Sequence, residues 1–282
     1  VPVSMIHEDL RYVGVSQEVI DAQLHICSSC EEAADQAHGV ALLTEWDEFK
    51  EADFAKIHDG MFKPAFLFDL DGTLIDTSGD LTAAVNHVLE SVGRPMLSSD
   101  TVKQHIGGGA KLMLQQGLEA TGGIPDNDFK PLYRQMLAYY EANVSEHSRP
   151  FDGALALLDA LDNMGVRYAV VTNKFESLAV KLLTDLNLAD RMGCILGADT
   201  LGKENAKPSG APIFEMIKRC GGGRAAYVGD SIYDVMAAKN ASVPSVAVSF
   251  GFLHGPVEDM GADAIIDHFD ELLGCLRQLG SN

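Results

Sequence analysis

Residues 65–77 read AFLFDLDGTLIDT, and no other stretch narrows the possible folds as far. Ala65-Phe66-Leu67-Phe68 is an apolar run of strand length, the kind that is buried in a sheet. Two carboxylates, Asp69 and Asp71, follow at once, and then Gly72 and Thr73. An acidic pair ending a buried strand is costly, because unpaired carboxylates resist desolvation. Such a pair holds a cation or does chemistry. A bare Asp-x-Asp would favour a solvated turn; the longer run is more specific.

The chain around this stretch alternates between two periodicities. From Pro150 onward, helical patterns over 153–164, 176–186, 213–219, 234–239 and 269–279 alternate with short apolar strands over 166–171, 194–197, 225–228 and 245–248. Repeated strand-helix units of this spacing predict an α/β domain, a doubly wound parallel sheet of Rossmann-like type. Ligands of such sheets sit beyond the carboxyl ends of the strands. Asp69, Asp71, Thr172 and Asp230 all fall at those ends. Between the first strand and Pro150 the pattern is helical only, over 80–92, 100–106, 110–118 and 129–144. Ahead of it all, residues 1–62 read as a β-α-β-α fragment, with strands at 24–28 and 39–44 and helices at 31–37 and 47–61.

A chain of 282 residues with 46% hydrophobic residues is long enough for two or three domains with full cores. Its formal charge of −20 argues against nonspecific binding to nucleic acid or to an anionic membrane. No apolar run reaches membrane-spanning length, and no secretory signal opens the chain. Cys27, Cys30, Cys194, Cys220 and Cys275 have no disulfide-framework spacing, and Cys27-Ser-Ser-Cys30 lacks the second pair that would complete a zinc site. A reducing, cytoplasmic setting fits that usage best. The triplets from Asn143 and Asn240 match the glycosylation pattern but matter only in a secreted protein.

Four segments, FDLDGTLIDT, IGGGAKLML, VVTNK and VGDSIYDVMAAKNA, together resemble the phosphoglycolate phosphatases of the haloacid dehalogenase (HAD) superfamily over roughly residues 65–280. The resemblance implies a HAD core over 63–78 and 150–282, with a small all-helical cap over 79–149. It implies a Mg²⁺-dependent hydrolase acting on a small-molecule phosphate monoester, and leaves the oligomeric state open. By the same resemblance Asp69 is the nucleophile and Asp71 the acid–base. Thr172 and Lys207 serve the phosphoryl group, and Gly72, Thr73, Asn173, Lys174, Gly108 and Lys111 bind substrate. Asp69, Asp71, Asp230 and Asp234 hold the metal. Each signal alone has a plainer reading: Lys207 as a surface lysine with Lys203 as a rival, Asp230 and Asp234 as a helix start, Lys111 as a solvated one. Asp71 argues for phosphatase or mutase over dehalogenase, since a halide leaving group needs no proton. The alternative is a phosphatase or mutase for a sugar phosphate or another small phosphoester. The sequence departs from the family pattern at Ser209-Gly210 and at Ser242, where a second proline and a glycine are usual.

The stretch HGVALLTEWDEFKEADFAKIHDGMFKPAFLFD resembles the C-terminal nucleotide-sugar-binding domain of UDP-glucose 6-dehydrogenases. The cofactor-binding G-x-G-x-x-G and a catalytic-cysteine domain of a dehydrogenase are missing. Residues 1–62 are therefore expected to be a fragment fused ahead of a phosphatase; a nucleotide-sugar-binding module without catalysis is the reading from another class. The two resemblances meet inside one strand, which has only two edges to pair. The larger phosphatase core is expected to claim it.

Overall fold

The structure, a computed structural model, describes residues 65–279 apart from 107 and 126–128, together with positions 16, 17, 27, 32, 33 and 35. The chain divides into two compact units, Val1–Phe62 and Lys63–Asn282. Apart from positions 27, 32, 33 and 35, the elements expected in residues 1–62 lie outside the described residues, as does Cys30 of the Cys-x-x-Cys.

The apolar run does become a buried strand, β1 (Ala65–Phe68). It is followed by β4 (Arg167–Val171), β5 (Ile195–Leu196), β6 (Ala225–Gly229), β7 (Ser245–Val248) and β8 (Ala264–Ile266) in one sheet. The order is β5-β4-β1-β6-β7-β8, with every pairing parallel. Ala65 pairs with Arg167 on one side and Ala225 on the other, and Phe68 with Val170 and Val228. Both edges of β1 are thus occupied, as the competition between the two resemblances predicts. A strand buried on both faces reads as continuous apolar sequence rather than alternation, and the pleat sends its residues to two cores. Phe66 and Phe68 pack with helices α5 (Ala154–Asn163) and α6 (Glu176–Asp185) and with Phe269. Ala65 and Leu67 pack against α7 (Ala211–Arg219) and α8 (Ile232–Asn240). Helix α9 (Leu272–Leu279) ends the described chain.

Between β1 and β4 the chain makes a helical insert, α1 (Ser78–Ser91), α2 (Ser99–Lys103), α3 (Ala110–Ala120) and α4 (Phe129–Ala142). Leu81, Val85, Val88 and Leu89 of α1 meet Met113, Leu114 and Leu118 of α3 and Leu132, Met136 and Tyr140 of α4 in a shared core. The spacing is helical on every partner, so each apolar stripe faces the others. Two short strands, β2 (Ile75–Asp76) and β3 (Arg149–Pro150), pair antiparallel where the chain enters and leaves the insert. Asp80, buried in the first turn of α1, fixes the same neck. It accepts from the Ser148 backbone N–H at 2.8 Å, the Ser148 hydroxyl at 2.6 Å and the His147 N–H at 2.9 Å.

Neither β8 nor the β2–β3 pair is predicted by the sequence, because two or three residues carry too little pattern. The departure at Ser242 has a structural counterpart: its φ is 54°, the left-handed conformation in which a glycine is unstrained. Among the described residues no helix is long and apolar enough to cross a membrane.

Candidate active site

The parallel sheet brings three strand ends side by side. β1 lies between β4 and β6, so Asp69, Thr172 and Asp230, each one residue beyond its strand, become neighbours although 161 positions separate Asp69 from Asp230. Asp69, Asp230 and Asp234 carry carboxylate oxygens that all lie within 4.8 Å of one another, and all three residues are buried.

Lys207 is the cation set against this cluster. Its ammonium lies 2.9 Å from Asp69 Oδ1 and 2.6 Å from Asp234 Oδ1, with the side chain 2% exposed. It also donates to the Tyr227 hydroxyl at 2.9 Å, which donates onward to the Val171 carbonyl at 2.6 Å. The contact with Asp69 is an ion pair that misses hydrogen-bond direction, so Asp69 Oδ1 is buried with no hydrogen-bond donor among the described residues. Burial pulls the Lys207 ammonium down, but Asp234 and Asp69 outweigh it and hold it above its ordinary value. Burial raises the Asp69 carboxyl to about 6, with Lys207 opposing and Asp234 adding to the rise. Burial also lifts Asp230 well above the usual carboxylate range, helped by the charges of Asp69 and Asp234.

Asp234 has little capacity left for another ligand. Lys207 holds one oxygen, and the Ser231 N–H (3.0 Å) and hydroxyl (2.6 Å) hold the other in a capping box that starts α8. Asp230 is fixed by the Thr73 hydroxyl at 3.0 Å and the Phe252 N–H at 2.7 Å. Gly72 and Gly251 pass so close to Asp230 that a Cβ on either would overlap it, and Gly72 has φ of 83° besides. Three buried carboxylates balanced by one ammonium leave net negative charge in a dry site, the condition a bound cation relieves. All the ligands are oxygens, a donor set that suits Mg²⁺.

Asp71 is turned elsewhere. Its Oδ1 accepts from Lys174 Nζ at 2.8 Å and from the Thr77 hydroxyl at 2.7 Å. The side chain expected among the metal ligands is thus outside the three-carboxylate group, because the turn after β1 sends it to the insert side. Gly72 and Thr73 also differ from their expected place on substrate, since the turn applies both to Asp230. Asp69, Asp71, Thr172, Asn173, Lys174 and Lys207 line a cavity of about 370 Å³ together with Gly108, Lys111, Met136 and Tyr140 of the insert. That is near the small end of ligand pockets, about 300–1,000 Å³. Lys203 lines it too, with its ammonium 5.5 Å above the Phe175 ring. Asn173 donates to the Lys207 carbonyl at 3.1 Å, and its buried Oδ1 has no hydrogen-bond partner among the described residues.

Sequence reasoning passes over three hydroxyls, those of Thr77, Tyr140 and Tyr227. Tyr227 and Tyr140 sit in apolar stripes, and the only signal in such a place is that a buried tyrosine hydroxyl needs a partner. Burial raises the Tyr140 phenol to about 12, against the opposing pull of Lys174.

Residues 66–248 match the haloacid dehalogenase-like hydrolase family, and residues 7–76 match the UDP binding domain of the UDP-glucose/GDP-mannose dehydrogenase family. The chain belongs to the haloacid dehalogenase-like hydrolase family, and within it is a phosphoric monoester hydrolase. It is 39% identical to a phosphoglycolate phosphatase of Agrobacterium fabrum, over 76% of this chain and 92% of that one. It is 38% identical to one of Caulobacter vibrioides, over 76% and 91%. A crystal structure described as a predicted phosphoglycolate phosphatase from Haemophilus somnus superposes with a TM-score of 0.69, at 30% identity, over 74% of this chain and 96% of that one. The two family matches overlap at residues 66–76, and the structure gives the strand there to the hydrolase sheet.

Proposed function

We propose that the protein hydrolyses 2-phosphoglycolate to glycolate and phosphate, with Mg²⁺, through an aspartyl-phosphate formed on Asp69. The observation that carries this reading is Asp71, a second carboxylate lining the same cavity as the first. Cleaving an alkyl phosphate expels an alkoxide, which needs a proton that a halide does not. In this reading the Asp69 carboxylate attacks phosphorus in line while Asp71 protonates the leaving oxygen. Asp71 then takes a proton from the water that hydrolyses the acyl phosphate. Thr172 and Asn173 hydrogen-bond the phosphoryl oxygens, and Lys207 offsets their charge and that of the nucleophile. Asp69 and Asp230 would hold Mg²⁺, which when bound neutralises phosphoryl charge; Asp234 positions Lys207. The names of the relatives support glycolate as the leaving group. An assay of phosphate monoesters with and without Mg²⁺ tests it: 2-phosphoglycolate should be hydrolysed best and only with the metal. Equal turnover in chelator contradicts it.

Asp71→Asn keeps the nucleophile and loses the proton donor. The kcat/KM for an alkyl phosphate, which ends at expulsion of the alcohol before the water step common to both esters, is expected to fall about 10²–10⁴-fold, and that for an aryl phosphate, whose leaving group needs little help, much less. An equal loss on both removes Asp71 from the acid role.

We further assign the hydrolase core to 63–78 and 150–282 and its cap to 79–149, with 1–62 outside both. Because β4 and β6 occupy both edges of β1, deleting residues 1–62 is expected to leave turnover within about twofold, as for a change outside the packed core. An insoluble or inactive 63–282 would show that the preceding segment belongs to the fold.

A further inference from the structure

The Asp71–Lys174 pair continues into the insert. Lys174 follows β4, and its buried ammonium donates to Asp71 Oδ1 at 2.8 Å and to the Tyr140 hydroxyl of α4 at 2.6 Å. Tyr140 is 3% exposed. A phenol is protonated at neutral pH and has one hydrogen to give. Its oxygen already accepts from Lys174, and among the described residues no protein atom accepts that hydrogen. The ammonium has three hydrogens, of which the described contacts use two. Both residues line the cavity. Two donors therefore remain for a bound ligand, next to the acid.

Their position relative to Asp71 selects the ligand. The leaving oxygen of a monoester must come within hydrogen-bond reach of the acid that protonates it. A group one carbon beyond that oxygen then falls on the cavity side of Asp71, beside Lys174, which bonds to Asp71, and Tyr140, which bonds to Lys174. An anionic group is favoured there, because the ammonium lies between it and the Asp71 carboxylate and offsets their repulsion. Lys111 and Lys203 also reach the cavity, but both are exposed, and an exposed ammonium discriminates weakly. Buried donors discriminate strongly, since a ligand lacking the acceptor leaves them unpaired.

We propose that the Tyr140 hydroxyl, polarised by Lys174, is the specificity-determining donor to a carboxylate one carbon beyond the bridging oxygen of the substrate. This rests on the reading of the site as a 2-phosphoglycolate phosphatase and names the residue pair that recognises the glycolate end. The substrate class is a phosphorylated 2-hydroxy carboxylate, and the neutral analogue is discriminated against.

The test compares 2-phosphoglycolate with 2-hydroxyethyl phosphate, which has an alcohol in place of the carboxylate, in the full chain with Mg²⁺. Tyr140→Phe keeps the ring and removes the donor. The ratio of kcat/KM for the two esters is expected to fall about ten- to a hundredfold, chiefly through KM for 2-phosphoglycolate. Lys174→Met, which removes the polarising ammonium, should lower the same ratio and serves if the phenylalanine variant does not fold. A loss shared equally by both esters, or an unmoved ratio, overturns the assignment of Tyr140 while the parent's turnover stands. A parent that hydrolyses neither ester removes the 2-phosphoglycolate reading itself.

Discussion

Asp69→Asn is expected to abolish turnover while leaving the fold intact. An amide does not attack phosphorus, and loss of a catalytic nucleophile costs on the order of 10⁶-fold in other covalent enzymes. The fold survives because Asp69 is one of three crowded carboxylates. Its burial lifts its carboxyl to about 6 even with Lys207 alongside, so the native site tolerates the charged form poorly. Asparagine removes a charge that Asp230 and Asp234 repel, and Lys207 retains its 2.6 Å pair with Asp234. Thermal unfolding without Mg²⁺ at pH 8 should therefore show a Tm no lower than the parent's. Activity within tenfold of the parent would end the nucleophile assignment.

The opposite balance is expected of Lys207→Met, which should damage both catalysis and stability. The ammonium is the one cation paired with Asp69 and Asp234 among the described residues. Removing one partner of a buried ion pair costs about 3–5 kcal/mol, because the remaining charge stays buried. For a folded unit of this size that is a Tm lower by roughly 6–20 °C. The pH dependence has a definite sign. Carboxyls whose folded values lie above their unfolded ones bind more protons in the native state between those values. Stability then falls as pH rises through that window and is regained below it. Without Lys207 the carboxyls rise further, so the variant's deficit should shrink between pH 8 and pH 5. A deficit that is constant across that range would mean that the lysine acts through packing rather than charge.

How much of this was legible in the sequence depended on chain separation and hydrogen-bond geometry. Asp69, Thr172 and Asp230 could be grouped because a parallel sheet puts every strand's carboxyl end on one side. No distance was needed for that. Lys207 could be preferred to Lys203 from the following proline and the family pattern, and the structure gives Lys207 the ion pairs and Lys203 a place at the cavity. The insert's core was visible as helical spacing in Leu81, Val85 and Val88 and in Leu132, Met136 and Tyr140. What spacing does not carry is the direction of a polar group. The resemblance implies Asp71 as a metal ligand, and only the turn geometry shows its carboxylate on Lys174 and Thr77. Gly72 and Thr73 are substrate contacts by the same resemblance, yet the turn applies them to Asp230. Tyr140 counted as one more apolar position, and its hydroxyl was found only through its partner across the cleft.

The phosphoryl group on Asp69 is the feature on which the whole account depends, and it can be detected directly. The protein would be mixed with 2-phosphoglycolate and Mg²⁺, quenched in acid within one turnover, and digested for mass spectrometry. The peptide containing Asp69 should gain the mass of one phosphoryl group, and Asp71→Asn mixed with an aryl phosphate, whose leaving group needs no acid while release by water is slowed, should accumulate more of it. Steady hydrolysis with that peptide never modified in either protein would exclude Asp69 as the nucleophile.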